Sequence, residues 1–295
     1  MGSLVDKLIS QRLIIPPTFL KNNTHYECIM GSVAYGVSSN NSDIDVYGFA
    51  IPPKDLIFPH LAGEIQGFGR QKKKFGQFQT EKSVISKDGR TKYDVAMYNI
   101  VKFFQLCMDN NPNMIDSLFV PRRCIVHSTQ IGEHVRENRK MFLHKGSWPK
   151  FKGYAYGQMH KMNTKNPEGE RKELVEKYGY DVKFAYHVVR LLNEVEQILT
   201  ERDLDLERNR EQLKSIRRGE WKQNQIVEYF EMKEKSLEEL YTKSDLPHSP
   251  DETAIKSLLL ECLEMHYGSL DKCVIEPPDY EKMLKELQQM VEKYS

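Results

Sequence analysis

Hydrophobic and polar positions divide the chain into two regimes. Up to about residue 145, short apolar runs alternate with turns marked by glycine and proline, a pattern of strands mixed with short helices. Leu4, Val5, Leu8 and Ile9 recur at helical spacing over 3–14, and Pro16-Pro17 predicts where that helix stops. Tyr26 to Met30 is a short apolar run feeding the Gly31-Ser32 turn, consistent with a buried strand. Val33 to Val37 follows as a short helix, and Asp43 to Phe49 as a second strand closed by Pro52-Pro53. Gln77 to Ser86 and Thr91 to Met97 alternate as two strands, and the Asp88-Gly89 pair between them is a hairpin signal. A helix is expected from about Tyr98 to Met108, a helical turn and a short apolar run over 113–127, and a polar helix over 128–143.

From Trp148 onward strand signals nearly vanish. Helices are predicted over 149–164, 170–178, 181–201, 206–218, 222–243, 251–267 and 278–294, with breaks at Asn166-Pro167, Gly179, Gly219, Pro247 to Pro250 and Pro277-Pro278. The expected fold class is therefore α/β (α+β), an N-terminal part with a short mixed sheet followed by an all-helical C-terminal part. As domains, this places the division at 1–145 and 146–295.

Composition narrows the picture only a little. At 295 residues the chain can bury a sizeable core, and 43 Lys and Arg against 42 Asp and Glu give a net charge of +1 that points to no partner. The five cysteines (Cys28, Cys107, Cys124, Cys262, Cys273) include no CxxC pair and suit reduced thiols. No signal-like start and no membrane-length apolar run is present. The expectation is a cytoplasmic protein with no membrane association and no inferable stable protein partner.

The chemistry concentrates in residues 31–48, GSVAYGVSSNNSDIDVYG. Asp43 and Asp45 are two apart in a strand, so their carboxylates project to one face. Two like charges held together need a cation or a proton between them. Gly31-Ser32 opens a helical turn whose N–H groups could meet a phosphate. An anion cradle beside a carboxylate pair points to a metal–nucleotide site. Gly31 to Ser38 comes one residue short of a P-loop, because Val37 stands where the lysine must be. A calcium loop starting at Asn41 fails twice, at Val46 for glycine and at Pro52 for glutamate. Gly67-Phe68-Gly69 is only half a dinucleotide fingerprint.

A second constellation lies in 182–199, apolar nearly all round except for Lys183, His187, Arg190 and Glu194. Their spacings of four, three and four put them on one helix face, facing either a cleft or water. Basic residues also cluster at Arg70-Gln71-Lys72-Lys73-Lys74 and from Arg136 to Lys152, the latter interleaved with Phe142, Trp148 and Phe151. Such runs are either solvated faces or nucleic-acid surfaces with stacking aromatics.

The pattern GSxAYGxxxxxSDxDxxGxxxPP over residues 31–53 resembles the nucleotidyltransferase superfamily of DNA polymerase beta, and within it the RNA ligase-associated RlaP type. Asn111-Pro112-Asn113, Gly153-Tyr154-Ala155 and Asp181-x-Lys183-x-Ala185-x-His187-x-x-Arg190 are similar to the downstream pattern of that type. The likeness covers roughly residues 24–220 and leaves the last 75 or so without a guide.

The resemblance implies a third carboxylate on a neighbouring strand, for which Asp94 is the candidate; Glu81 and Asp88 are farther from the helix start. It implies Asp43, Asp45 and Asp94 as catalytic residues and ligands of Mg²⁺, two ions in the usual arrangement, with Mn²⁺ as a substitute. Gly31, Ser32, Lys183, His187 and Arg190 would bind the nucleotide. The implied activity is transfer of a nucleoside monophosphate from an NTP, ATP among them, to a hydroxyl, with an RNA end as acceptor in repair. A protein or small-molecule acceptor, and a non-catalytic nucleotide-binding module, stay open as alternatives.

Overall fold

The computed structural model describes residues 2–38, 42–71, 73–164, 167–270 and 287–291. In the first part, α1 (Leu4–Ser10) and α2 (Leu20–Asn23) precede β1 (Thr24–Met30), α3 (Gly31–Ala34) and β2 (Ile44–Ala50). There follow α4 (Lys54–Ile57), β3 (Gln77–Gln79), β4 (Val84–Ile85), β5 (Lys92–Asn99), α5 (Ile100–Met108), α6 (Pro112–Phe119), β6 (Ile125–Ser128) and α7 (Gln130–Glu137). The rest is helical among the described residues: α8 (Ser147–Thr164), α9 (Glu170–Tyr178), α10 (Val182–Glu201), α11 (Arg210–Arg217), α12 (Gln223–Lys243) and α13 (Glu252–Tyr267). The fold is an α/β part with a mixed sheet followed by a helical part, as the hydrophobic pattern predicts.

The strands order as β3-β5-β2-β1-β6, with β4 also on β5; β2 and β5 run parallel and the other pairs antiparallel. The hairpin expected at Asp88-Gly89 forms between β4 and β5, where Gly89 takes φ +73° and Ser86 N donates to Thr91 O at 2.8 Å. β6, legible in the sequence only as a short apolar run, adds to the edge of β1. The first helix stops at Ser10, earlier than the prolines demand. Arg12 there takes the left-handed φ of +58°, and the chain turns back so that Leu13 N reaches Leu8 O at 3.0 Å.

Strand alternation gives the sheet two apolar faces. Val46, Ala50, Val95 and Met97 pack under Val5, Leu8 and Leu20 from α1 and α2. The buried Glu27 of β1 accepts from Leu4 N at 2.8 Å and from Ser3 Oγ, so it satisfies the start of α1. On the other face Tyr26, Cys28, Phe49 and Tyr98 join one continuous set of buried side chains that runs through α5 and α6 into α8, α10 and α13. The centre of the helical part is α10, which packs most extensively on α8 and then on α12 and α11.

The last long helix returns to the first part. α13 lies on α5 and α7, Tyr267 donates to the Pro52 carbonyl, and His266 Nδ1 meets His25 Nε2 at 2.9 Å. Cys28, Cys107, Cys124 and Cys262 are buried free thiols. No helix among the described residues is long and apolar enough to cross a membrane.

Two expectations need correction or restriction. Phe142, Trp148 and Phe151 are core side chains, at most 2% exposed, and Arg136 is buried with its guanidinium on the Leu118 and Val120 carbonyls. They offer no stacking surface; apolar burial won over the exposure their basic neighbours suggested. The helix expected over 278–294 lies largely outside the described residues, of which 287–291 are helical, and Lys72, Asn166 and Cys273 lie outside them too.

Candidate active site

β1 ends at Met30, whose register partner on β2 is Asp45, so the turn leaves β1 directly beside that carboxylate. Gly31 makes the turn possible by taking φ +65°. Its lack of a side chain matters as much: a Cβ there would stand 2.0 Å from Asp45 Oδ2. Asp43 precedes β2 and is exposed, whereas Asp45 is partly buried within it. On the other side of β2, Asp94 of β5 is paired directly with Asp45 across the parallel ladder. The three predicted carboxylates are thus brought together. Glu81 and Asp88 stay exposed and apart from them, Asp88 accepting from Ser86 Oγ at 2.5 Å within the hairpin turn.

The electrostatics follow from this crowding. Burial, then the charges of Asp94 and Asp43, push the Asp45 carboxyl up from 3.8 to about 6. Among the described residues no group of three or more His, Cys, Asp and Glu side chains forms a ready-made metal cage. The donor set is instead open and made of oxygen alone, which suits a hard cation that keeps water and borrows ligands from a phosphate.

Asp43 and Asp45 line a cavity of about 730 Å³, and Asp94 stands behind them as the register partner of Asp45 rather than on the cavity wall. The cavity's sheet side is made by Gly31, Ser32, Tyr35, Asp43, Asp45 and Tyr47; its helical side by Lys177 from α9, Lys183, His187 and Arg190 from α10, and Arg217 from α11. Lys92 of β5 adds a cation to the sheet side and Glu173 of α9 an anion to the helical side. The sheet wall is thus mainly anionic and the helical wall mainly cationic, a balance that suits a polyphosphate held near a metal. A family comparison adds the decisive observation: residues 18–261 match the model of RlaP, the RNA repair pathway DNA polymerase beta family.

The chain belongs to the RlaP family. No curated protein matches it. The RlaP match reaches past both ends of the stretch that carries the motifs and includes most of α13. The family is that of polymerase beta-like nucleotidyltransferases in an RNA repair pathway.

Within this RlaP chain the α10 stripe divides by depth. Lys183 and His187 are partly exposed and line the cavity. His187 is held well below the ordinary histidine range by burial and by the charges of Arg190, Arg171, Arg217 and Lys183, so at neutral pH it is an uncharged ring. Arg190 reaches the cavity but is only 5% exposed, and its charge is already engaged. It donates to Asp116 Oδ2 at 2.5 Å and to Glu194 at 2.8 and 2.9 Å, and its guanidinium lies 4.4 Å over the Tyr35 ring. Tyr35 in turn donates to Asp116 Oδ2 at 2.8 Å. Arg190 therefore ties the Gly-Ser turn to α6 and α10.

Lys177 and Arg217 also line the cavity, and local patterning did not pick them out. Arg217 donates to the Val37 carbonyl and sits 5.4 Å over the Tyr186 ring, so α11 holds the segment leading to Asp43. Each lies on a polar helix face indistinguishable in sequence from a solvated one. Asn113, part of the Asn-Pro-Asn motif, also lines the cavity.

Proposed function

We propose that the protein is a metal-dependent nucleotidyltransferase that moves a nucleoside monophosphate from an NTP to a hydroxyl at an RNA end, releasing pyrophosphate. The observation that carries the reading is the pairing of Asp45 with Asp94, with Asp43 close by, where Asp43 and Asp45 line a cavity whose far wall is mainly cationic.

Asp43, Asp45 and Asp94 would hold Mg²⁺, or Mn²⁺ in its place. When bound, such an ion supplies charge neutralisation at the phosphates and eases deprotonation of the attacking hydroxyl. Ser32 on the sheet side, with Lys183 and Lys177 on the helical side, binds the β- and γ-phosphates. His187, uncharged, donates a hydrogen bond rather than a charge. Asp94 sits on the side of Asp45 away from Gly31 and takes the acceptor hydroxyl proton at a carboxylate oxygen. The acceptor oxygen then forms its bond to the α-phosphorus while the bond to the bridging pyrophosphate oxygen breaks. Within this reading, residues 1–145 supply the carboxylates and 146–295 the cationic wall.

The test is direct. The full chain, Mg²⁺ and each α-labelled NTP are incubated with single-stranded RNA, and labelled RNA is expected. Asp45→Asn is expected to abolish the product. Equal labelling by the variant would overturn the reading, and label on protein in a lysate with none on RNA would overturn the choice of acceptor.

A further inference from the structure

Helix α8 is unusual in its charge. It carries Lys150, Lys152, His160 and Lys161 and no Asp or Glu, in a chain whose acids and bases are almost equal in number. One side of it is occupied. Lys152 pairs with Glu234 at 2.7 Å, Tyr156 donates to Glu234 at 2.8 Å, and Trp148 Nε1 donates to Glu238 at 2.7 Å, all on α12.

The opposite side is partly open, with Tyr154 and Lys161 exposed and Lys150 and Gly157 half-buried. Lys150, Tyr154, Gly157 and Lys161 recur at spacings of four, three and four, which sets them along one face. Among the described residues neither Lys150 nor Lys161 makes an ion pair, and a Cβ on Gly157 would meet nothing within 4 Å. Tyr154 is 37% exposed, and its ring is oriented by Asn111 Nδ2, which donates to its hydroxyl at 2.9 Å.

This face connects to the carboxylates. Asn111 caps α6, and two residues on, Asn113 lines the cavity. On the sheet, Tyr47 follows Asp45 on the same face and also lines the cavity. Its ring lies 6.3 Å from that of Tyr98, whose hydroxyl is raised above the ordinary range by burial and by neighbouring Tyr154. Asn111, which holds the Tyr154 hydroxyl, and Asn113, which lines the cavity, thus set the Tyr154 face of α8 next to the site.

We infer that the Lys150–Tyr154–Lys161 face of α8 is the track for single-stranded acceptor RNA, with Tyr154 stacking a base and the two lysines holding the backbone on either side. This rests on the proposed transfer to an RNA end. Lys150 and Lys161 are separated by about 16 Å along the helix, the length of roughly five stacked nucleotides. A single aromatic platform between cations takes an unpaired base rather than a duplex.

Binding of a fluorescein-labelled 12-nucleotide RNA to the full chain, followed by anisotropy, tests the track. Tyr154→Ala and Tyr154→Leu are expected to weaken binding about tenfold. Tyr154→Phe, which keeps the ring, is expected to stay within about twofold. Lys150→Glu with Lys161→Glu should weaken binding further and flatten its salt dependence by roughly two phosphate contacts. The thermal shift given by NTP and Mg²⁺ should not change in any of them. Wild-type RNA affinity in Tyr154→Leu and in the double lysine variant would overturn the track while leaving the transfer reaction standing. Absence of RNA binding by the wild-type chain would overturn both.

Discussion

Gly31 lies against the Asp45 carboxylate so closely that a methyl group on its Cα would stand 2.0 Å from Oδ2. The turn and the carboxylate therefore cannot be varied independently. Gly31→Ala meets two penalties, a left-handed φ worth roughly 1–2 kcal/mol and the displacement of Asp45. A displacement of about 1 Å costs on the order of a hundredfold in rate. The expected outcome is a folded protein, by near-ultraviolet circular dichroism, with nucleotide transfer reduced to that degree.

Asp45 sets a pH dependence with a definite sign. Its carboxyl is raised from 3.8 to about 6 in the folded protein, so stability from this group is complete below pH 3.8 and is lost as pH rises through 6. The loss is about 3 kcal/mol at most. Asp45→Asn should therefore raise the melting temperature of the metal-free protein at pH 7.5 and leave it little changed at pH 4. Mg²⁺ should stabilise the wild type more at pH 7.5 than at pH 5, and the variant at neither. Thermal denaturation with and without the ion measures both.

The buried cluster beneath the turn has one guanidinium for two carboxylates. Burial raises both Glu194 and Asp116, and with a single guanidinium between them the two carboxyls share a proton near neutral pH. Glu194→Gln should then change stability by less than about 1 kcal/mol at pH 7. Arg190→Met leaves Asp116 buried without its cation and should cost about 3–5 kcal/mol. Urea unfolding of the two variants compares them. Equal losses would show that Arg190 acts through packing alone.

His25 ties α13 to the sheet. Its Nδ1 lies 2.9 Å from Thr129 Oγ1 and its Nε2 2.9 Å from His266. Burial, then His266 and His127, lower it from 6.5 to about 4. A base lowered in this way gives stability that is present above pH 6.5 and is lost as pH falls through 4, about 3 kcal/mol in all. His25→Gln should flatten unfolding free energy between pH 6.5 and 4. His134 of α7 also reaches α13, at 2.8 Å from Glu261, so that contact must be held constant in the comparison.

Much of the candidate site was legible in the linear sequence because local geometry determines it. The two-residue spacing predicts Asp43 and Asp45 on one side, and the hairpin signal at Asp88-Gly89 puts Asp94 on a strand. That this strand lies beside Asp45 came from the family resemblance and is set by the long-range parallel pairing of β5 with β2. The apolar periodicity of α10 isolates Lys183, His187 and Arg190 as a stripe. The division into a sheet-bearing part and a helical part follows from the period of the hydrophobic pattern.

What the stripe faces was decided only by tertiary packing. Arg190 and Glu194 share a helix face with Lys183, yet α6 brings Asp116 onto Arg190 and buries the pair, while Lys183 stays on the cavity. Lys177 and Arg217 reach the cavity because α9 and α11 fold across α10, and no local spacing encodes that approach. Trp148 and Tyr154, six residues apart on one helix, went to the core and to solvent because α12 covers one side of α8 and leaves the other open. Periodicity states which residues share a face. Only the packing of distant elements states what that face meets, because burial and charge pairing depend on neighbours that the chain brings from far away.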